Sequence, residues 1–169
     1  MQSIKIIKRP LSNKEISLLI ADIKLFPDLT YVSRKKWLSF KNIYVAEKER
    51  KLLGVCVIYE LENCIKLGPL AVLKKHQSKG IGKALLKTIM GNLKEKNIFI
   101  TSSNPLVKKI ALDMDFEVIS FFSLSYKIKL FLIKQLIEHI SLTFFIEALR
   151  KKIIFNRKNH LFFIKHRIN

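Results

Sequence analysis

Gly80 and Gly82 stand where a basic loop gives way to an amphipathic helix, inside the stretch Leu67–Met90, and Lys79 and Lys83 flank them. The first turn of a helix carries backbone N–H groups with no partner inside the helix, and the aligned peptide dipoles make that end partly positive. Glycine permits positive φ and lets an anion come close to the backbone. A short apolar run ending Leu70-Ala71-Val72, then Gln77-Ser78-Lys79-Gly80-Ile81-Gly82-Lys83, then the helix, describes a cradle for phosphate.

The spacing excludes two kinds of cradle. A nucleoside triphosphate loop of the Walker type needs a glycine five residues before the Gly-Lys pair and Ser or Thr after it; Gln77 and Ala84 occupy those places. The dinucleotide fingerprint needs a third glycine three residues after the second, where Leu85 stands.

The pattern Gln77-x-x-Gly80-x-Gly82 after a strand resembles the coenzyme A pyrophosphate loop of the GNAT family, the Gcn5-related N-acetyltransferases. Asn104, a following helix and Phe116 twelve residues on are similar to a second family block. The resemblance implies an α/β fold: a mixed, mostly antiparallel central sheet whose fourth and fifth strands splay apart. It implies acetyl-CoA as co-substrate, an amine as acceptor and no metal. Backbone groups of Leu70, Ala71 and Val72 would meet the pantetheine arm, with an N–H near Val72 polarising the carbonyl. Residues 77–83 would hold the pyrophosphate, and the Asn104 amide would reach the pantetheine. Read from the residues alone, Asn104 is a helix N-cap, and both roles can hold at once.

The chain departs from the family at three positions. The family tyrosine seven residues after the asparagine, the general acid, is Ala111 here; the glycine before Phe116 is Asp115, and the usual proline after the strand is Lys74. Catalysis therefore has no clear owner. Glu60 and Glu62, ending the third strand, are the nearest carboxylates to a base, and His76 precedes the glycines. Tyr126 or Tyr59 could replace the missing hydroxyl, and nothing in the spacing selects either.

The elements that must position these residues follow from periodicity and punctuation. SIKIIK (3–8) reads as a strand closed by Pro10. Ser12 and Glu15 form a capping box before Ile16, Leu19, Ile20 and Ile23 at helical spacing, and a short helix is expected over 31–40. Strands over 43–47, 52–60 and 64–73 come next, the last interrupted by Gly68-Pro69, which a β-bulge would reconcile. Leu85, Leu86, Ile89, Met90 and Leu93 make one apolar stripe, and 98–101 reads as a strand reached by a crossover, hence parallel to its neighbour. A helix from Pro105 to about Met114 and a strand over 116–122 complete the family pattern. Residues 125–156 read as a helical insertion before a closing strand at 160–165, so the expectation is one domain over 1–169 with core about 1–124 and 158–167.

Composition bounds the rest. The length suits one domain with a real core, and 49% hydrophobic residues exclude a disordered chain. Cys56 and Cys64 lie in apolar runs and read as reduced, buried thiols of a cytoplasmic protein; the N-terminus has no apolar signal core, and no segment is apolar for long enough to span a bilayer. The net charge of +19 invites nucleic acid as a partner, yet the basic residues are spread along the chain without interleaved aromatics. Only the stretch after Glu147 gathers seven Lys or Arg with no acid, and a solvated basic face is the simpler account. A CoA-binding module without turnover and an RNA- or ribosome-associated basic protein stay open beside the acyltransferase.

Overall fold

The computed structural model describes residues 3–26, 29, 31–62, 64–93, 96–139, 142–154 and 160–166. Their order is β1 (Lys5–Lys8), α1 (Asn13–Leu25), α2 (Arg34–Ser39), β2 (Ile43–Lys48), β3 (Lys51–Glu60), β4 (Cys64–Val72), α3 (Ile81–Asn92), β5 (Asn97–Ser102), α4 (Pro105–Leu112), β6 (Glu117–Ile119), α5 (Tyr126–His139), α6 (Leu142–Ile154) and β7 (Leu161–Lys165).

The strands form one sheet in the order β1-β2-β3-β4-β5-β7-β6. Neighbours are antiparallel except β4 and β5, which the α3 crossover makes parallel. The closing strand β7 enters between β5 and β6 and pairs antiparallel with both. Side chains alternate across the sheet, so each face has its own core. On one face α3 and α4 bury Leu85, Leu86, Ile89 and Ala111 against Ile65, Leu67, Ile98 and Phe163. On the other, α1 and α2 bury Ile16, Leu19, Ile23 and Trp37 against Val45, Val55 and Ala71. Further along that second face, α5 packs Ile128 on Cys64 and Phe99.

Local chemistry explains the element ends. Ser12 Oγ accepts from Glu15 N–H at 3.3 Å while the Glu15 carboxylate accepts from Ser12 N–H at 2.8 Å, completing the capping box. Arg9 donates to Glu15 and Glu47, tying the ends of β1, α1 and β2 together, and that guanidinium holds the Glu15 carboxyl below its usual range. The second helix is shorter than 31–40 because Ser33 caps it at Lys36 N–H. The strand expected over 116–122 stops at Ile119: Ser120 caps a 3-10 turn over Phe121–Ser123 by accepting from Phe122 N–H. Ser141, which the sequence also offers as a cap dividing the helical insertion in two, lies outside the described residues. No helix among the described residues is long and apolar enough to cross a membrane.

Candidate functional site

The bulge in β4 creates the site. Cys56 of β3 pairs with Leu70 and Ile58 with Leu67, so Gly68 and Pro69 together oppose Val57 alone. The Gly68-Pro69 peptide is cis, and Gly68 has φ 119°, a conformation side chains rarely adopt. The extra residue resets the alternation: Leu67 and Leu70, three apart, both face the α3 side.

Beyond the bulge β4 leaves β5. Their parallel pairing runs from Cys64–Asn97 to Leu67–Ile100 and ends there, while β4 continues to Val72 on β3 alone. Leu73 N–H donates to Leu53 C=O, which fixes the ladder phase: Ala71 turns its backbone to β3, whereas Leu70 and Val72 turn theirs to the gap. Of the three residues expected along the pantetheine arm, the structure thus brings two to the opening; the Ala71 side chain is buried against α1 and α2. Gln77 Nε2 donates to the Val72 carbonyl at 3.1 Å, which links the loop to this free edge.

The loop delivers the helix end. Ser78 and Gly80 both have left-handed φ, 59° and 75°, and such alternation turns backbone N–H groups to one side of a turn. Gly80 caps α3 with no side-chain hydrogen bond, and no acid occupies the first turn, so the N–H groups of Ile81, Gly82 and Lys83 lack helical or capping partners. A Cβ at Gly80 would meet no atom within 4 Å, and at Gly82 only Val72 Cγ2 at 3.8 Å. The protein itself leaves this space open. Gly82 has no positive φ and no close neighbour, so neither its backbone conformation nor its packing requires a glycine. Lys83 lines the opening, 3.4 Å from Asp113 at the exposed end of α4.

Asn104 stands across the gap. Its Oδ1 accepts from Leu106 N–H at 2.8 Å and Val107 N–H at 3.4 Å, which caps α4 and leaves the amide NH2 as the group that can donate into the cleft. Ala111 is fully buried in the core behind it, so α4 faces the cleft with Leu106, Val107 and Ile110 and offers no hydroxyl.

These walls enclose a cleft of about 800 Å³ that passes through the sheet. Its first mouth is Gln77–Lys83 and the start of α4. The second lies on the opposite face among Phe26, Leu29, Tyr31, Leu132, Leu136 and Phe144. No Asp or Glu lines it among the described residues. Glu60 lies outside it, as do Glu62 and Tyr126, which are largely exposed; Glu62 pairs with Lys127 and Glu60 accepts from Asn42. His76 is at the rim, where its imidazole is held below its usual pKa by partial burial and by Lys75 and Lys79. Lys79 does not line the cleft.

Sequence reasoning passed over Lys66. It is the one charged residue in the apolar run Cys64–Leu67, it is 5% exposed, and it lines the cleft. Burial pulls its ammonium from 10.5 down to about 8. A lysine at a central-strand position was the available signal. Tyr31, Thr101 and Gln135, also in the lining, carry no such mark in the sequence.

Residues 39–114 match the family model of the acetyltransferase (GNAT) domain. The chain carries a GNAT domain. The match takes in the splayed strands, the glycine loop and α4, and stops before α5 and α6. Solved structures share the fold at low identity. N-acetylglutamate synthase from Neisseria gonorrhoeae, complexed with coenzyme A and N-acetyl-glutamate, superposes with a TM-score of 0.69 at 17% identity over 100% of this chain. The chain spans only 36% of that protein's length. Rv2747 from Mycobacterium tuberculosis, in complex with CoA, gives 0.63 at 11% identity over 94% of this chain and 97% of its own. The ribosomal-protein-S18-alanine N-acetyltransferase from Escherichia coli gives 0.56 at 14%, over 69% and 80%. No curated protein sequence matches the chain. The GNAT domain and its sheet order thus agree with the resemblance read from Gln77–Gly82 and Asn104–Phe116.

Proposed function

We propose that the protein transfers an acetyl group from acetyl-CoA to a primary amine. The observation that carries this is the parting of β4 from β5 after Leu67–Ile100, directly beside a helix N-terminus whose glycines leave room for an anion.

The residues present suit coenzyme A. The free N–H groups of Ile81, Gly82 and Lys83, with the charge of Lys83, would hold the pyrophosphate. The gap-facing backbone of Leu70 and Val72, together with Asn104, would hold the pantetheine arm as an added strand. Acetyl-CoA supplies the activated acyl group. The chain's own part is to align it and admit an amine from the second mouth. An ordinary lysine amine, pKa ≈ 10.4, is neutral in only about one molecule in 2,500 at pH 7, so a desolvating chamber favours the reactive form. The second mouth is apolar and has no carboxylate among the described residues, which suits that task.

Calorimetric titration with acetyl-CoA tests the donor half. Micromolar binding by the wild type, lost in a Gly80→Glu, Gly82→Glu variant, is the expected result. Equal binding by both proteins would remove the phosphate-cradle reading.

A further inference from the structure

Two buried lysines line the cleft, and the fold uses them differently. Lys151 of α6 donates to the carbonyls of Ile23, at 2.8 Å, and Leu29. Lys66 of β4 has no carboxylate and no hydrogen-bond acceptor among the described residues. Its Nζ lies 5.2 Å from the centroid of the Tyr59 ring, and Tyr59 is its partner across β3. A buried ammonium without a counter-ion is costly, so this site raises the share of the neutral amine, which is the nucleophilic form of lysine.

Its place matters as much as its state. Lys66 pairs with Phe99 on the last rung but one before β4 and β5 separate. It therefore stands at the closed end of the gap, on the face away from α3. The phosphates of a bound acyl-CoA belong at the α3 end of the cleft, so the acyl end of so long a donor points toward the other face. No other amine in the lining shares both properties: Lys83 is half-exposed beside Asp113, and Lys151 has its N–H groups engaged by backbone.

We infer that Lys66 is an acetyl acceptor within the cleft, modified by the chain's own acetyl-CoA. The inference rests on the acetyl-CoA reading above. In the step, the Lys66 nitrogen lone pair forms a bond to the thioester carbonyl carbon and the carbon–sulfur bond breaks. The proton shed by nitrogen goes to the departing thiolate, giving N-acetyl-lysine and free CoA thiol, with nothing oxidised or reduced. The amide product is neutral and stable, so Lys66 is modified once per chain and its basic nitrogen is lost from the chamber.

Among the described residues, the titratable group facing Lys66 is Tyr59 of β3, with Cys56 on the α3 side of the same strand. Burial pushes each up to about 12, and Glu138 of α5, which acts on Tyr59, is paired with Lys36. Tyr59 and Cys56 stay uncharged from pH 7 to 9, and β5 presents Phe99 and α5 presents Phe131 and Gln135, which do not titrate. With its own amine near 8, the neutral fraction of Lys66 grows about tenfold between pH 7 and 9, against about a hundredfold for an exposed lysine.

The test is to incubate the full chain with acetyl-CoA, digest it and map acetyl-lysine by mass spectrometry, with CoA binding measured by calorimetry on the same preparation. Modification of Lys66 approaching one acetyl per chain is expected, with a rate rising about tenfold from pH 7 to 9, and its absence in the Gly80→Glu, Gly82→Glu variant. Saturating CoA, which bears no acetyl group, should also protect Lys66 from acetic anhydride. CoA binding without modification of Lys66, or labelling that CoA does not diminish, overturns the inference and leaves the acetyl-CoA reading intact. Absence of CoA binding overturns both.

Discussion

Lys151, in the last helix, places its Nζ 2.8 Å from the carbonyl oxygen of Ile23, in the last turn of the first helix. It donates to Leu29 as well, and its neighbour Arg150 donates to the Lys24 carbonyl at 2.5 Å. Two of the basic residues that sequence alone assigns to a solvated face thus sit on the negative end of α1. Replacing Lys151 by Met should deprive the Leu29 carbonyl of this donor and leave the Ile23 carbonyl with the Phe26 N–H alone, at 3.2 Å. At roughly 1–3 kcal/mol for an unsatisfied buried group, the loss should be on the order of 1–3 kcal/mol in urea unfolding. An unfolding midpoint matching the wild type would show that these bonds do not hold α6 to α1.

Three glycines should respond in three different ways. At Gly54 an added Cβ would sit 2.9 Å from the Ala71 carbonyl oxygen, a backbone atom of the facing strand, so Gly54→Ala should cost roughly 1–3 kcal/mol. Gly80→Ala keeps open space but forces alanine to φ +75°, which costs about 1–2 kcal/mol. Gly82→Ala meets neither obstacle and, inside a helix, should stabilise by up to about 1 kcal/mol. Thermal melts of the three variants give the order. Gly82→Ala should still weaken CoA binding in calorimetry; a variant that gains stability and keeps its affinity would mean the anion does not approach this backbone.

Asp115 occupies a left-handed position, φ 59°, where the family glycine stands. Its carboxylate reaches Lys165 at 3.1 Å but is 89% exposed, and an exposed pair contributes little. Asp115→Gly should therefore raise stability by roughly 0.5–1 kcal/mol, read as a higher urea midpoint with unchanged slope. A lower midpoint would mean that the contact to Lys165 outweighs the backbone strain.

The loop side of the cleft was legible because it is local. A glycine pattern, an N-cap and a bulge-forming Gly-Pro each act within a few residues, and Gly80, Asn104 and Gly68 stand in the structure as their neighbours demand. The second mouth was not legible because it is assembled from afar. Leu29, Lys66, Leu132 and Phe144 belong to four separate segments, and only the sheet order and the docking of α5 and α6 bring them together. Glu60, Glu62 and Tyr126 were chosen by type and proximity along the chain, which says nothing of the direction in which a side chain leaves its strand or helix. Lys66 was overlooked because a lysine in a basic sequence looks ordinary until its burial is known.

Lys66 also leaves a signature in stability that needs no ligand. Its amine falls from 10.5 to about 8 on folding. Below pH 8 both the folded and unfolded chains hold the proton, and the folded state bears the full cost of a buried charge. Between pH 8 and 10.5 the unfolded chain binds more protons than the folded one, so stability rises with pH. Burial of Cys64 and Cys56, pushed from 9.0 up to about 11 and about 12, works in the opposite sense as the unfolded thiols ionise, costing roughly 0.4 kcal/mol each by pH 9. The difference between the wild type and Lys66→Met isolates Lys66, and the wild type should gain roughly 1 kcal/mol on that variant between pH 7 and 9 in urea unfolding. Lys66→Met should remove that slope and be the more stable protein at pH 7, by on the order of 3 kcal/mol. If the two proteins instead show the same pH dependence, the Lys66 amine titrates as an exposed lysine does, and the cleft offers no neutral amine at physiological pH.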